Sequence, residues 1–158
     1  MKDLARKIVE KLTEKRYKIS FAETITGGGI AKEIIEIPGS SKVIDFSLTV
    51  YSNQSKIDIL KASEKTLIEH GAVSEEAVEE MVEGLLCISG ADVGLAVSGI
   101  AGPGGATDSK PIGMVCAALK INDELIKETW MLGHLERKIV IERAINKSLE
   151  FIANNLEL

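Results

Sequence analysis

Residues 18–35, KISFAETITGGGIAKEII, decide the fold of this chain. The first residues of the stretch are β-prone, the last have helical spacing, and three consecutive glycines separate them. A strand that turns directly into a helix leaves backbone N–H groups without helical partners, and such groups can bind an anion or a developing oxyanion. Glycine lets a ligand approach the main chain closely. Two interpretations of this turn remain open, a flexible connection and a binding site.

Helices and strands alternate on both sides of the glycine turn. Helices are predicted at residues 3–16, 28–37 and 137–154, and after the capping serines Ser52, Ser63 and Ser74. Strands are predicted at residues 18–23, 43–51, 93–97, 113–121 and 124–131, and Asn122-Asp123 predicts a hairpin between the last two. We therefore expect one domain, residues 1–158, with an α/β fold. It should be a three-layer α/β/α sandwich around a mixed, mostly parallel sheet with a late antiparallel hairpin strand.

Composition argues against several classes of function. The formal net charge is −5 and aromatic residues make up 4% of the chain, which is unsuited to nucleic-acid binding. No apolar run approaches the roughly 18 residues of a membrane span, and the N-terminus lacks the apolar core of a signal peptide. Cys87 and Cys116 are expected to be buried, reduced thiols, and no metal or cofactor is expected. These features predict a cytoplasmic protein.

Four ordered blocks of the chain resemble the CinA C-terminal domain family, whose members include nicotinamide mononucleotide amidases. The first block, AETITGG at residues 22–28, is similar to the family's Ala-Glu-Ser-Cys-Thr-Gly-Gly motif. The second is PGSS at 38–41, followed by YSN at 51–53 and a lysine at 56. The others are HGAVSEE at 70–76, and SGIAGPGG at 98–105 with KPIG at 110–113. The resemblance extends over nearly the whole chain.

This resemblance implies a hydrolase that converts the carboxamide of nicotinamide mononucleotide to the carboxylate and releases ammonia. The family's tyrosine and lysine correspond to Tyr51 and Lys56, and its serine nucleophile corresponds to Thr24. Threonine at this position is a departure at the centre of the chemistry. A second departure precedes the last helix, where Gly133 and Arg137 are separated by two more residues than in the family's Gly-Asp-Arg.

The chemistry of amide hydrolysis agrees with these assignments. An amide is a poor electrophile, so attack needs an activated hydroxyl and donors for the oxyanion. Lys56 can be the base if its surroundings lower its pKa, and Tyr51 can relay or steady the proton. Backbone N–H groups of the glycine turn are the predicted oxyanion donors, and the loop of residues 99–105 is the predicted ribose-phosphate cradle. The candidate substrate-binding residues are Glu23, Thr26, Gly27, Gly28, Gly29, Asn53, Gly99, Ala101, Gly102, Gly104, Gly105 and Arg137.

Each assignment has a structural alternative. Lys56 would otherwise be an exposed helix lysine, Thr24 a turn hydroxyl, and Glu23 either accepts the N–H groups of the turn or faces the substrate. The extra methyl group of Thr24 stiffens its side chain and crowds the line of attack. Two functions therefore remain open: an amidase, or a non-catalytic nucleotide-binding or regulatory homologue. The expected partner is a small-molecule substrate, a pyridine mononucleotide, and the expected assembly is a homo-oligomer, with no nucleic acid and no membrane.

Overall fold

The computed structural model describes residues 1–157 and contains one five-stranded sheet flanked by helices. The strands are β1 (Ile19–Glu23), β2 (Ile44–Thr49), β3 (Val93–Gly99), β4 (Met114–Ile121) and β5 (Glu124–Met131). The helices are α1 (Lys2–Lys15), α2 (Gly29–Ile35), α3 (Asn53–Leu60), α4 (Glu64–His70), α5 (Glu75–Ser89) and α6 (Arg137–Asn155). A short 3-10 turn at Ser40–Lys42 precedes β2.

The sheet is mixed, and most of its strands run in one direction. The strand order is β2-β1-β3-β4-β5. β1 pairs in parallel with β2 and β3, whereas β4 pairs antiparallel with β3 and β5. Only β4 therefore runs against the other strands of the described sheet. This confirms the predicted mostly parallel sheet and its late hairpin.

Two buried clusters cover the two faces of the sheet. One cluster includes Phe21 and Leu95 of the strands and packs against α1, α2 and α6. The other includes Ala22 and Ala96, which are the next residues along the same strands, and packs against α3 and α5. Successive side chains of a strand point to opposite faces, so β1 and β3 contribute to both clusters. The predicted three-layer sandwich is confirmed.

The predicted serine caps are also present. The hydroxyl groups of Ser52, Ser63 and Ser74 each accept a hydrogen bond from the backbone N–H three residues later, at 3.0, 3.4 and 3.2 Å. Each bond satisfies a donor that the first turn of a helix cannot pair internally. In residues 1–157, no helix is both long and apolar enough to cross a bilayer. Of the two cysteines expected to be buried, Cys116 is buried, whereas Cys87 is exposed on α5.

The ends of two strands, β2 and β3, differ by two residues from the predicted ones. β2 ends at Thr49, so the predicted strand residues Val50 and Tyr51 lie in the connection to α3. β3 continues past the predicted end to Gly99, because Ser98 and Gly99 pair in register with residues of β4. The second glycine-rich loop therefore begins after Gly99 rather than at Ser98.

Candidate active site

A cavity of about 280 Å³ lies at the carboxyl ends of β1 and β3. Five separate segments form its wall: the turn after β1, the start of α3, the turn between α4 and α5, the end of β3 with the loop that follows it, and the start of α6. Most of the predicted site residues line it, namely Thr24, Tyr51, Asn53, Lys56, Gly99, Ala101, Gly102, Gly104, Gly105 and Arg137. The carboxyl ends of parallel strands are the usual ligand-binding edge of an α/β sheet.

Lys56 is a buried lysine, with 1% of its surface exposed. Its Nζ atom donates to the backbone oxygens of Val50 at 3.1 Å and Tyr51 at 3.3 Å. Within the part of the chain that the structure describes, no carboxylate forms an ion pair with it. Burial disfavours the charged amine, so the pKa of Lys56 lies below the ordinary lysine value. A lysine in this environment can act as a general base.

The Thr24 hydroxyl faces the same region as the Lys56 amine. Thr24 Oγ1 donates to the backbone oxygen of Val50 at 2.9 Å, and this is the oxygen that Lys56 Nζ also contacts. Because both atoms bond one oxygen, they lie within about 6 Å of each other. The hydroxyl and the amine are therefore neighbours at the cavity wall, although each is bonded to Val50.

Tyr51 and Arg137 form the mouth of the cavity. Tyr51 is 59% exposed, and its hydroxyl accepts a hydrogen bond from Arg137 Nη2 at 3.0 Å. Arg137 Nη1 donates to the backbone oxygen of Gly102 at 2.8 Å, so the guanidinium links the tyrosine to the glycine-rich loop. Tyr51 supports the Lys56 amine through its backbone oxygen, while its hydroxyl is bonded to Arg137. The longer connection before α6 still brings Arg137 to the cavity.

Glu23 holds the glycine turn together and does not line the cavity. Its side chain is fully buried, and its carboxylate accepts the N–H groups of Gly28, Ile30 and Ala31 at 3.1, 3.0 and 2.9 Å. The carboxylate therefore satisfies the free N–H groups at the start of α2. Of the two interpretations of Glu23, the contacts support the structural one.

The N–H groups of the three consecutive glycines are not free to bind an oxyanion. Gly27 donates to the Thr24 oxygen at 3.2 Å, Gly29 donates to the Thr26 oxygen at 2.9 Å, and Gly28 donates to Glu23. Gly27 and Gly28 also have positive φ angles of 58° and 93°. Glycine adopts such angles readily, so the backbone conformation of the turn accounts for glycine at these two positions. Thr26 is buried beside them and does not line the cavity. These contacts do not support the three glycine N–H groups as the predicted oxyanion donors.

Ser98 is the residue at the cavity that sequence reasoning missed as a candidate. The strand predicted from the sequence ends at residue 97, whereas Ser98 lies in β3 with 1% of its surface exposed. Glu23 pairs with Val97 in the parallel ladder, so the residues that follow them, Thr24 and Ser98, are lateral neighbours. A longer predicted β3 would have included Ser98, but its position beside Thr24 follows from the strand order. The apolar part of the wall, from Ile25, Ala72, Val73 and Ile100, also went unpredicted.

Lys110 links two walls of the cavity. Its Nζ atom donates to the backbone oxygen of Val73 at 2.7 Å and to that of His70. Val73 lines the cavity, and Lys110 follows the glycine-rich loop along the chain. The contact therefore ties this loop to the turn between α4 and α5.

A larger groove of about 790 Å³ lies elsewhere, between α3, α4 and α5. Glutamates line it, but they already have partners. Glu80 accepts hydrogen bonds from Ser63 N and Thr66 Oγ1, both at 2.7 Å, and Glu83 pairs with Lys120 at 2.7 Å. We place the site at the smaller cavity, because it contains a hydroxyl and a buried amine that can do chemistry.

Comparison with known proteins agrees with this architecture. The chain is 35% identical to a solved structure titled competence/damage inducible protein CihA from Agrobacterium tumefaciens, with a TM-score of 0.95 over 99% of this chain and 95% of that one. A CinA superfamily protein from Klebsiella pneumoniae is 27% identical, with a TM-score of 0.93 over 99% and 97% of the two chains.

Curated relatives extend the comparison to longer proteins. A CinA-like protein of Shewanella pealeana is 40% identical over 150 residues, which cover 95% of this chain and 35% of that protein. A CinA-like protein of Fervidobacterium nodosum is 45% identical over 143 residues, covering 90% and 35% respectively. The chain thus spans about a third of the length of these relatives. A sequence profile of the CinA C-terminal domain matches residues 1–156, and the chain therefore belongs to the CinA C-terminal domain family.

Proposed function

We propose that this protein is an amidase that hydrolyses the carboxamide of a pyridine mononucleotide, nicotinamide mononucleotide first among them, to the carboxylate and ammonia. The observation that carries the proposal is the buried Lys56 amine, which has no carboxylate partner in the described chain and lies beside the Thr24 hydroxyl at a cavity. A charged lysine is costly to bury, so this arrangement favours a role for the neutral amine. The motif resemblance supports the choice of substrate.

In the proposed reaction, Thr24 Oγ1 forms a bond to the amide carbon while its proton passes to Lys56 Nζ. The carbonyl electron pair moves to the oxygen and gives a tetrahedral oxyanion. When this collapses, the carbon–nitrogen bond breaks, the nitrogen takes the proton from Lys56, and ammonia leaves. Water then attacks the resulting ester with Lys56 again as the base, which returns Thr24 and releases the carboxylate.

The loop after β3 is the proposed cradle for the phosphate of the substrate. The backbone N–H groups of Ala101, Gly102, Gly104 and Gly105 make no hydrogen bond to another residue of the described chain. Successive free N–H groups can bind a phosphate without a dedicated side chain. Arg137 adds a positive charge at the same wall, and its guanidinium has donors beyond the two that already bond protein atoms.

The non-catalytic alternative rests on Thr24. Its hydroxyl donates a hydrogen bond to the backbone oxygen of Val50, and its methyl group restricts rotation of the side chain. A misplacement of about 1 Å at a reacting atom can cost on the order of 10²-fold in rate. A homologue that binds the mononucleotide without hydrolysing it would keep the same cavity and the same buried lysine.

One pair of measurements on the wild type and the Thr24→Ser variant separates the two functions. Isothermal titration with nicotinamide mononucleotide measures binding, and an ammonia assay measures turnover. We expect both proteins to bind, the wild type to release ammonia, and Thr24→Ser to release it as fast or up to about 10²-fold faster, because serine removes the crowding methyl group. Binding with no ammonia from either protein would favour the non-catalytic function.

A further inference from the structure

We propose that the Ser98 hydroxyl is the oxyanion donor of this site, and so a further catalytic residue. The inference rests on the proposed amidase function and deepens it. The reaction needs an oxyanion donor, and the three glycine N–H groups predicted for this role are bonded within the turn.

Strand register places Ser98 beside the proposed nucleophile. Thr24 N–H donates to the Val97 oxygen at 3.0 Å, which extends the parallel ladder of β1 and β3 by one residue. Neighbouring strands lie about 4.8 Å apart, so the two backbones are that close at this level. Ala22 and Ala96, two residues earlier on each strand, belong to the same buried cluster. By alternation, Thr24 and Ser98 point to that same side of the sheet and line one cavity.

The Ser98 hydroxyl has no partner elsewhere in the described chain. Its cross-strand neighbour Cys116 is buried and lies 3.6 Å from Thr129 Oγ1 through its Sγ atom. No hydrogen bond joins the Ser98 hydroxyl to another described residue, although only 1% of the surface of this residue is exposed. Ser98 Oγ is not one of the fully enclosed atoms without a partner in the described chain, which are Ser20 Oγ and Thr26 Oγ1, so it is accessible from the cavity. Its opening onto the cavity gives it a partner when a ligand binds.

Ser98 would donate a hydrogen bond without giving up its proton. As Thr24 Oγ1 bonds to the amide carbon, the electron pair of the C=O bond moves to the oxygen, and Ser98 O–H points at that oxygen. The proton of Thr24 goes to Lys56, so Lys56 is the base and Ser98 only stabilises charge. Preorganised donors of this type act mainly on the transition state, because the negative charge develops there.

The decisive experiment compares Ser98→Ala with Ser20→Ala in the full chain. Ser20 is a matched control, since it is a fully buried serine of β1 whose hydroxyl also has no partner, and it does not line the cavity. Loss of one oxyanion donor is expected to lower kcat for ammonia release by about 10²–10³-fold with KM little changed. Ser20→Ala should keep the wild-type kcat.

A binding measurement distinguishes charge stabilisation from a packing role. The pyridine-3-carbaldehyde analogue of the mononucleotide can form a hemiacetal with Thr24, whose oxygen mimics the oxyanion. Ser98→Ala should weaken binding of this aldehyde by a similar factor and leave binding of the amide nearly unchanged. If Ser98→Ala does not fold, Ser98→Cys gives the test, because a thiol of similar size is a weaker donor and should also lower kcat.

The outcomes separate failure of this inference from failure of the proposed function. If the wild type turns over and Ser98→Ala matches it, or if Ser98→Ala changes only KM, Ser98 is not the oxyanion donor while the amidase stands. If the wild type and Thr24→Ser both release no ammonia and neither binds the aldehyde more tightly than the amide, the amidase itself is wrong, and this inference with it.

Discussion

The buried amine of Lys56 should make the stability of the protein depend on pH, in addition to its proposed role in catalysis. Burial lowers its folded-state pKa below 10.5, the ordinary value that the unfolded chain should have. Between these two pKa values the unfolded chain binds more protons, so the free energy of unfolding should rise with pH across that window. Lys56→Met should have a smaller pH slope there. Urea unfolding at several pH values measures it.

An exposed lysine provides the comparison for this measurement. Lys65→Met removes a lysine from α4 that is exposed to solvent. Its pH slope should equal that of the wild type. Equal slopes for Lys56→Met and the wild type would contradict a lowered pKa at Lys56.

Glu23 is expected to contribute to the stability of the fold rather than directly to substrate binding. Glu23→Ala leaves three N–H groups of the turn and α2 without an acceptor. Each unpaired buried group costs about 1–3 kcal/mol, so we expect the free energy of unfolding to fall by roughly 3 kcal/mol or more. Glu14→Ala, on the exposed side of α1, should cost little. Weaker mononucleotide binding with unchanged stability would instead assign Glu23 to the substrate.

At the residue scale, the sequence motifs could predict which residues belong to the site, but not which hydrogen bonds the glycine turn forms. Thr24, Tyr51 and Lys56 were predicted as site residues and lie together at one cavity. The burial of Lys56 could not be predicted from its position in a short helix, because it depends on the packing of α3 against α5. The role of Ser98 stays a proposal.

At the element scale, α3 carries Lys56 and packs closely against α5 at Gly84. A Cβ atom on Gly84 would lie 1.7 Å from the backbone oxygen of Leu60 at the end of α3. Gly84→Ala must therefore push the two helices apart, and overpacking of this kind costs about 1–3 kcal/mol of stability. Because Lys56 lies one turn before Leu60, we also expect ammonia release to fall. Thermal or urea unfolding measures the first effect.

The matched variant for this substitution is Gly104→Ala. No atom lies within 4 Å of a Cβ added at Gly104, so its stability should stay near that of the wild type. If Gly84→Ala were as stable as Gly104→Ala, the close packing of α3 on α5 would not hold.

Local signals predicted most of the elements, whereas long-range pairing decided where two of them end. The serine caps at 52, 63 and 74 act within one turn of helix, and sequence alone identified them. The ends of β2 and β3 depend on partners far along the chain. Ser98 remains in the sheet because it pairs with Cys116, and nothing in the sequence around Ser98 indicates this.

At the scale of the whole molecule, the sheet order creates the site. β1 lies between β2 and β3, so the turn after β1 is flanked by the segment that follows β2 and the loop that follows β3. Thr24 lies in the turn after β1, Lys56 in α3 and Ser98 near the end of β3, and all three line the cavity at one edge of the sheet. The fold class could be predicted from the alternation of elements, but this strand order could not, because parallel neighbours are fixed by crossovers between distant segments.

The central claim is that a neutral, buried Lys56 activates a hydroxyl for amide hydrolysis. The most direct test is the pH dependence of kcat/KM for ammonia release from nicotinamide mononucleotide by the wild type and by Lys56→Arg, whose guanidinium stays charged. We predict that wild-type kcat/KM rises with pH and levels off below the range of an ordinary lysine, because burial lowers the pKa of Lys56, and that Lys56→Arg is inactive throughout. Wild-type rates from Lys56→Arg, or the same rise in both proteins, would contradict the claim.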